Sequence, residues 1–202
     1  MTDQPFDSLS PEQKKAQFSE FFLIKHALNV NIAEVKEGEL PAPDQLEAHM
    51  PYAFKLAGEL ASIEAQAIRP LRNLSSHATE LADFLNAQAR KIDLMMSYIL
   101  HQQDDESLRY ETLRFGGGGI EIISETPFEV GSDVELKVFL ETEAAAVFCY
   151  AQVITCDSHP DGYHIAFIFS RIRESDQELL VRASLHLQTQ QLRKRSESNR
   201  TE

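Results

Sequence analysis

Four consecutive glycines, Gly116 to Gly119, constrain this chain more than any other part of its sequence. They follow Arg114-Phe115 and lead directly into the alternating apolar run Ile120-Glu121-Ile122-Ile123. Because glycine has no Cβ and accepts positive φ, the backbone can turn sharply here and lie close to another chain or a ligand. The run predicts a bulge or a tight first turn of a β-domain. A nucleotide-hydrolysing phosphate loop is disfavoured, because the Gly-Lys-Ser or Gly-Lys-Thr ending is missing and a strand follows.

Length and composition predict a compact soluble protein. The 202 residues are 43% hydrophobic, which is enough for a real core in one or two domains. A net charge of -13, from 32 acidic and 19 basic side chains, repels nucleic-acid phosphates and argues against general DNA or RNA binding. No basic start precedes an apolar run, and no run of about 18 apolar residues occurs, so we expect a cytoplasmic protein without membrane insertion.

Residues that carry chemistry do not form recognisable catalytic or metal-binding motifs. Cys149 and Cys156 lack the Cys-x-x-Cys spacing, so we expect structural thiols rather than a disulfide or a redox pair. The segment from Cys156 to His164 holds potential metal ligands, but its turn-forming residues favour a hairpin loop. Around Ser184 and His186 no base and oxyanion site can be assigned. We therefore expect no enzyme activity, no metal site and no cofactor.

Residues 1–50 predict an N-terminal helix followed by an acidic connector. Ser10-Pro11-Glu12-Gln13 supplies an N-cap, a proline at the first helical position and an early acid, so a helix is expected from there to about Leu28. Residues 29–44 contain Gly38, two prolines and several acids, which indicate an exposed connector.

Residues 51–106 predict a long helical segment for oligomerisation. A kink or break is expected at Pro70, which lacks an amide donor. After it, apolar residues follow a heptad pattern over a helix of roughly 50 Å, at about 1.5 Å per residue. One heptad position holds Leu71, Ala78, Leu85, Ile92 and Ile99, and the other holds Leu74, Leu81, Gln88, Met95 and Gln102.

This heptad stripe has two interpretations. It can pack on copies of itself, or it can lie on the β-domain of its own chain. Ser75, Ala82, Ala89 and Met96 widen the stripe beyond a two-stranded seam, so we favour self-assembly into a bundle of more than two helices. Gln88 and Gln102 interrupt the seam and either set its register or weaken it.

Beyond residue 106 the apolar period changes from helical to two. Residues 107–174 predict five short antiparallel strands that form a sheet or a small barrel, with turns between them. The strands are expected at 107–113, 119–124, 134–140, 147–155 and 163–169. Residues 175–202 predict a terminal helix that docks on the sheet, followed by a polar tail. The fold class is α+β, with a small antiparallel barrel between a long helix and a terminal helix.

The order of these elements resembles the PilZ domain family. The resemblance rests on the glycine-rich strand, the Gly131 turn, two long apolar strands, Gly162 and the terminal helix, and it covers roughly residues 70–195. It implies a small antiparallel β-barrel and a bacterial signalling role. Ordinary members bind the second messenger cyclic di-GMP through Arg-x-x-x-Arg and Asp-x-Ser-x-x-Gly motifs. The heptad helix resembles an atypical, tetramer-forming subgroup.

This sequence departs from the ligand-binding motifs of that family. When Gly119 is matched to the last motif glycine, Arg114 stands at the aspartate and Gly116 at the serine. No Arg-x-x-x-Arg occurs, and Arg109 and Arg114 are five residues apart. Paired guanidinium groups match phosphate oxygens and guanine edges bidentately, so their loss predicts weak binding.

Residues and resemblance together predict a non-enzymatic bacterial PilZ-like signalling adaptor. It is expected to form a homo-oligomer such as a tetramer and to bind an unidentified protein partner, with weak or no cyclic di-GMP binding. The alternative is a cyclic di-GMP receptor whose rearranged site uses Arg109, Arg114 and the exposed amides of Gly116, Gly117, Gly118 and Gly119.

Overall fold

A computed structural model describes residues 6–71 and 79–198 of the chain. Within them, seven strands form one antiparallel sheet that closes into a barrel. The strands are β1 Leu23–Lys25, β2 Asn29–Glu34, β3 Arg109–Gly116, β4 Gly119–Ser124, β5 Asp133–Leu140, β6 Ala145–His159 and β7 Gly162–Arg171. The helices are α1 Pro11–Glu20, α2 Leu46–His49, α3 Tyr52–Leu71, α4 Thr79–His101 and α5 Glu174–Ser198.

Six of the strands close the barrel in the order β3-β2-β5-β6-β7-β4, and β3 pairs with β4 to complete the ring. β1 pairs with β3 beside the end of β2, with Ile24 opposite Phe115. The predicted fold class, an α+β chain with a small antiparallel barrel, a preceding helix and a terminal helix, is confirmed.

Two strands come from a segment that the sequence analysis assigned to a helix end and a connector. α1 ends at Glu20, and residues 23–34 form β1 and β2, so the barrel has six strands instead of five. Val30 and Ile32 are buried in the barrel core. They point to the same face only in a strand, since two residues apart in a helix they would face almost opposite directions. The prediction of helix up to Leu28 was wrong because α1 ends at Glu20 and β1 follows, and the prediction of an exposed connector from residue 29 was wrong because Val30 and Ile32 are buried in β2.

The barrel core consists of the inward-facing side chains of its strands, and one end of it is covered by α5. Leu180, Ala183 and Leu187 of α5 belong to the same buried cluster as Phe115 and Phe167. The barrel and α5 therefore form one packing unit.

The helical segment before β3 contains two described helices, α3 and α4, where the sequence analysis expected a kink or break at Pro70 and one helix from Leu71 onward. α3 ends at Leu71, directly after Pro70, and α4 begins at Thr79. A proline in a helix interior removes a backbone hydrogen bond and clashes with the preceding turn, which favours a helix end nearby. α4 as described has 23 residues, which correspond to about 34 Å.

α3 and α4 meet on the outer surface of β5 and β6. Ala53 and Phe54 of α3 share a buried cluster with Met96 and Leu100 of α4, and Phe148 of β6 belongs to it. Met96, which the sequence analysis expected to widen the self-assembly stripe, therefore packs on the barrel of its own chain. The first turns of α3 and the last turns of α4 thus anchor a helical hairpin to the barrel.

Candidate functional site

The glycine run forms the turn between β3 and β4. Gly116 ends β3 and Gly119 begins β4, and none of the four glycines has a positive φ. Glycine is required at these positions because neighbouring atoms leave no room for a Cβ. A Cβ on Gly116 would overlap the carbonyl oxygen of Phe22, and one on Gly119 would overlap the carbonyl oxygen of Phe167. The close approach that the sequence predicted is therefore made by the chain's own backbone.

The middle two glycines lie under side chains of α5 and of the N-terminal segment. A Cβ on Gly118 would overlap the ring of Phe21, and one on Gly117 would lie 2.5 Å from Cγ2 of Val181. Gln177 Nε2 donates a 2.8 Å hydrogen bond to the carbonyl oxygen of Gly117. All four glycines are buried. The exposed amides that the rearranged cyclic di-GMP site would need are thus covered.

Arg114 is bound to a carboxylate on the neighbouring strand. Its Nε and Nη2 donate to the two carboxylate oxygens of Glu121 at 2.6 and 2.5 Å. This bidentate arrangement uses the same guanidinium edge that would grip a phosphate or a guanine. An anionic ligand at Arg114 has to displace Glu121 first.

Arg109 is bound to a different carboxylate at the other end of β3. Its Nη2 and Nε lie 2.9 and 3.1 Å from the carboxylate of Asp104, which raises the pKa of the guanidinium. Asp104 also accepts a 2.8 Å hydrogen bond from Asn31. Arg109 lines an open cavity of about 630 Å³ with Tyr110, whereas Arg114 lines a separate one of about 470 Å³. The structure therefore does not bring the two arginines together.

The second candidate site is an apolar surface of α4, here called the α4 stripe. It consists of the predicted interface residues that the structure describes with side chains: Leu81, Leu85, Gln88, Ile92, Met95 and Ile99. The five apolar members are each at least 36% exposed, with Met95 at 60%. Leu74 and Ala78 lie outside the described residues, as does the side chain of Leu71. Large apolar side chains that are exposed together along one side of a helix mark an interaction site more often than an ordinary solvent-facing surface.

Two aromatic residues that the sequence analysis did not include extend the α4 stripe. Phe84 and Tyr98 are 58% and 68% exposed. They follow Leu81 and Met95 by three residues, which places them on the adjoining row of the helix. The i+3 spacing was visible in the sequence, but the strict heptad assignment left these residues out.

The remaining chemistry-bearing side chains do not assemble a reactive centre. Ser184 Oγ donates to the carbonyl oxygen of Val181, and Asp176 is held by Arg173 at 2.8 and 2.9 Å. The Ser184 hydroxyl is therefore not directed at His186 as a nucleophile would be, and the Asp176 carboxylate is not directed at His186 to orient it. In the ranges that the structure describes, no three His, Cys, Asp or Glu side chains are grouped to hold a metal ion.

Comparison with known families identifies the family to which the barrel belongs. The sequence model of the PilZ domain matches residues 86–186, which is half of the chain. The chain belongs to the PilZ domain family. The match runs from α4 through the barrel strands β3 to β7 into α5, and β1 and β2 lie outside it. PilZ domains are typically non-enzymatic receptor or effector domains.

The solved structures that are similar to this PilZ protein include two proteins of different bacteria. One is a tetrameric PilZ domain from Xanthomonas campestris that self-assembles through a helical bundle. It is 15% identical, with a TM-score of 0.55 over 88% of this chain and 96% of that chain. The other is the inhibitor of motility MotI/DgrA of Bacillus subtilis, at 13% identity and a TM-score of 0.46, over 85% of this chain. The match spans about half, 51%, of the MotI chain.

No curated protein matches the sequence. None of the helices in the described ranges combines the length and apolar character that a bilayer-spanning segment requires.

Proposed function

We propose that this PilZ protein is a non-enzymatic, cytoplasmic signalling adaptor. It self-associates through the α4 stripe, binds a protein partner with its barrel, and has weak or no affinity for cyclic di-GMP. The observation that carries the proposal is the exposure of Leu81, Leu85, Ile92, Met95 and Ile99 on one side of α4. The family membership and the assembly of the Xanthomonas tetramer through a helical bundle support it.

The energetics favour more than two helices in the assembly. Full burial of a Leu, Ile or Met side chain contributes about 1.5–3 kcal/mol, so five half-exposed residues contribute about 5 kcal/mol per subunit. Association costs roughly 4–15 kcal/mol in lost translational and rotational freedom. A simple two-helix seam is therefore marginal. A bundle that also buries Phe84 and Tyr98 adds about 2–4 kcal/mol per subunit, which shifts the balance toward association.

Self-association is tested by light scattering on the purified chain. At about 10 µM the wild type should have a mass that is a multiple of 22.9 kDa. The double variant Leu85→Glu/Ile92→Glu should be monomeric, because a buried unpaired carboxylate costs several kcal/mol. Arg90→Glu, an exposed position on the side of α4 opposite the stripe, changes the net charge by as much as the double variant, so it is the matched control and should keep the wild-type mass. A monomeric wild type would contradict the proposal.

Weak messenger binding follows from the pairs that the arginines already make. A cyclic di-GMP molecule has to displace Asp104 from Arg109 or Glu121 from Arg114. Calorimetric titration should show no heat up to about 1 mM, which corresponds to binding weaker than roughly -4 kcal/mol. Saturable binding in the micromolar range would instead establish the receptor alternative.

A further inference from the structure

The outer surface of the barrel carries an apolar patch that belongs to neither the barrel core nor the helical hairpin. Ile165 and Phe167 of β7 point into the core, whereas Ala166 and Ile168 alternate with them and point outward. Together with Ile154 of β6 they form a separate buried cluster. We call Ile154, Ala166 and Ile168 the outer patch. Outward-facing apolar residues on a small barrel need a covering element to be buried.

The covering element is the segment of residues 6–22, here called the N-terminal cover. Its helix α1 begins with a capping box between Ser10 and Gln13. Of its ten residues only Lys14 and Phe18 are buried. A polar helix of this length is not stable in isolation, so α1 depends on the outer patch for its structure. The main barrel core contains no residue of α1, so the core does not depend on α1 in return.

Polar contacts fix the N-terminal cover at one end. Arg171 Nη2 donates a 2.6 Å hydrogen bond to Asp7 Oδ2 in a salt bridge, and the Arg171 side chain is almost fully buried. Lys14 Nζ donates to Gln152 Oε1 at 2.7 Å and lies 4.4 Å from the centre of the Phe6 ring. The guanidinium of Arg171 gives the surface beneath the cover a cationic site in a chain that is acidic overall.

Aromatic contacts fix the other end of the N-terminal cover. The ring of Phe18 lies against Gly119 and the ring of Phe21 against Gly118. The glycine run therefore creates a recess for two phenylalanines that are three residues apart. The fit is incomplete, because the open cavity of about 470 Å³ lies alongside these rings. The side-chain oxygen of Gln17 is also buried without a hydrogen-bond partner.

We propose that the outer patch and the glycine recess form the protein-docking surface of the barrel, and that the N-terminal cover occupies it until a partner segment replaces it. The contacts of the cover define that partner. It is an amphipathic segment with two phenylalanines three residues apart and a carboxylate that reaches Arg171. The inference deepens the proposed adaptor function and rests on it, because it names the surface and the chemistry of the protein partner.

The test uses a fluorescent peptide with the sequence of residues 6–22 as the probe. In the full chain, Asp7→Ala/Phe18→Ala removes one contact at each end of the N-terminal cover and opens the surface. The probe should bind this variant at least tenfold more tightly than the wild type. A probe with serine in place of both Phe18 and Phe21 should bind neither. Glu12→Ala/Ser19→Ala, at two exposed positions of α1, is the matched control and should behave as the wild type.

Equal affinity of the probe for the wild type and the opened variant overturns the proposal, and so does absence of binding to a variant that circular dichroism shows to be folded. Its failure is distinct from failure of the adaptor function, since the α4 stripe is untouched and the oligomer mass should stay at the wild-type value.

Hydrogen exchange on the wild type tests the same proposal without any substitution. A displaceable cover opens locally, so the amides of α1 should exchange at least about 100-fold faster than those of β6 and β7. If the amides of α1 and of the two strands exchange together, at the rate of global unfolding, the N-terminal cover does not open and the proposal is wrong.

Discussion

Gly117 and Gly119 lie two residues apart in one turn and contact different kinds of neighbour. Space for a Cβ at Gly119 is blocked by the backbone carbonyl of Phe167, which is fixed by the pairing of β4 with β7. At Gly117 the nearest atom is a methyl group of Val181, a side chain that is 38% exposed and can shift toward solvent at the cost of leaving its preferred helix rotamer. Substitutions at the two positions therefore compare a Cβ that is blocked by a backbone atom with a Cβ that is blocked by a side-chain atom.

The Gly119→Ala variant should lose about 3 kcal/mol of unfolding free energy, because the overlap can be relieved only by shifting a strand. Gly117→Ala should lose about 1 kcal/mol, because the Val181 side chain can rotate away. Urea unfolding followed by circular dichroism measures both. Equal losses would show that the backbone around Phe167 adapts as easily as a methyl group.

At this scale the sequence allowed the residue types to be predicted, but not their partners. The absence of the family's binding motifs around Arg114 was readable directly. The pairing of Arg114 with Glu121 was not, because it depends on the register of β3 against β4, which contains an irregularity between Thr112 and Arg114. Nor does the sequence reveal that the glycine run is covered by Phe18 and Phe21, since that requires knowing where α1 docks.

At the scale of elements, the strands with strong alternation were predicted within a few residues, and β4 with its observed bounds. β1 and β2 were missed because each is short and the connector beyond them is rich in acids, proline and glycine. The buried Asn31 of β2 also obscures the apolar pattern. Its amide is satisfied by Asp104 and by the carbonyl oxygen of Asp105, at 2.8 and 3.0 Å. A polar residue paired in this way appears in the sequence as a loop residue.

Contact between α3 and the start of α5 depends on one glycine. A Cβ on Gly58 would lie 3.1 Å from both terminal nitrogens of Arg173. That guanidinium is held by Asp176 on its other side, and burial raises the pKa of this carboxyl. The ion pair thus fits into the groove that Gly58 leaves on α3.

Gly58→Ala should fail to show the gain of about 1 kcal/mol that alanine normally gives in a helix interior. The added methyl group presses on the Arg173 guanidinium, and such overpacking costs about 1–3 kcal/mol. In an Arg173→Ala background the same substitution should be stabilising. A double-mutant cycle from thermal unfolding measures the difference, and additivity of the two substitutions would exclude the contact as its cause.

At the scale of the whole molecule, the helical hairpin is an insertion between two strands that are neighbours in the sheet. β2 and β3 pair with each other, although residues 35–108 separate them. Among the described residues of the hairpin, those at its base are anchored to the barrel, through Phe54, Met96 and Leu100. The α4 stripe lies along a helix that the barrel leaves largely exposed. The stability of the folded protein is therefore expected to depend on association with other copies of the chain.

The melting temperature of the wild type should rise with protein concentration, by several degrees between about 1 and 100 µM, because association stabilises the folded state by mass action. The Leu85→Glu/Ile92→Glu variant should melt at a temperature that does not depend on concentration. Scanning calorimetry over this range checks both. A concentration-independent wild type would indicate that folding is not linked to association.

The insertion of the hairpin also determines how rigidly the barrel is attached to α3 and α4. Two chain crossings, one before α3 and one after α4, join each barrel to its helices, where a terminal fusion would have a single tether. Two attachments restrict rotation of the barrel relative to its helices more than a single attachment does. Neighbouring barrels in an assembly would then keep a fixed spacing and tilt. A target whose docking points repeat at that spacing would bind several barrels at once, and a target whose docking points repeat at a different spacing would not.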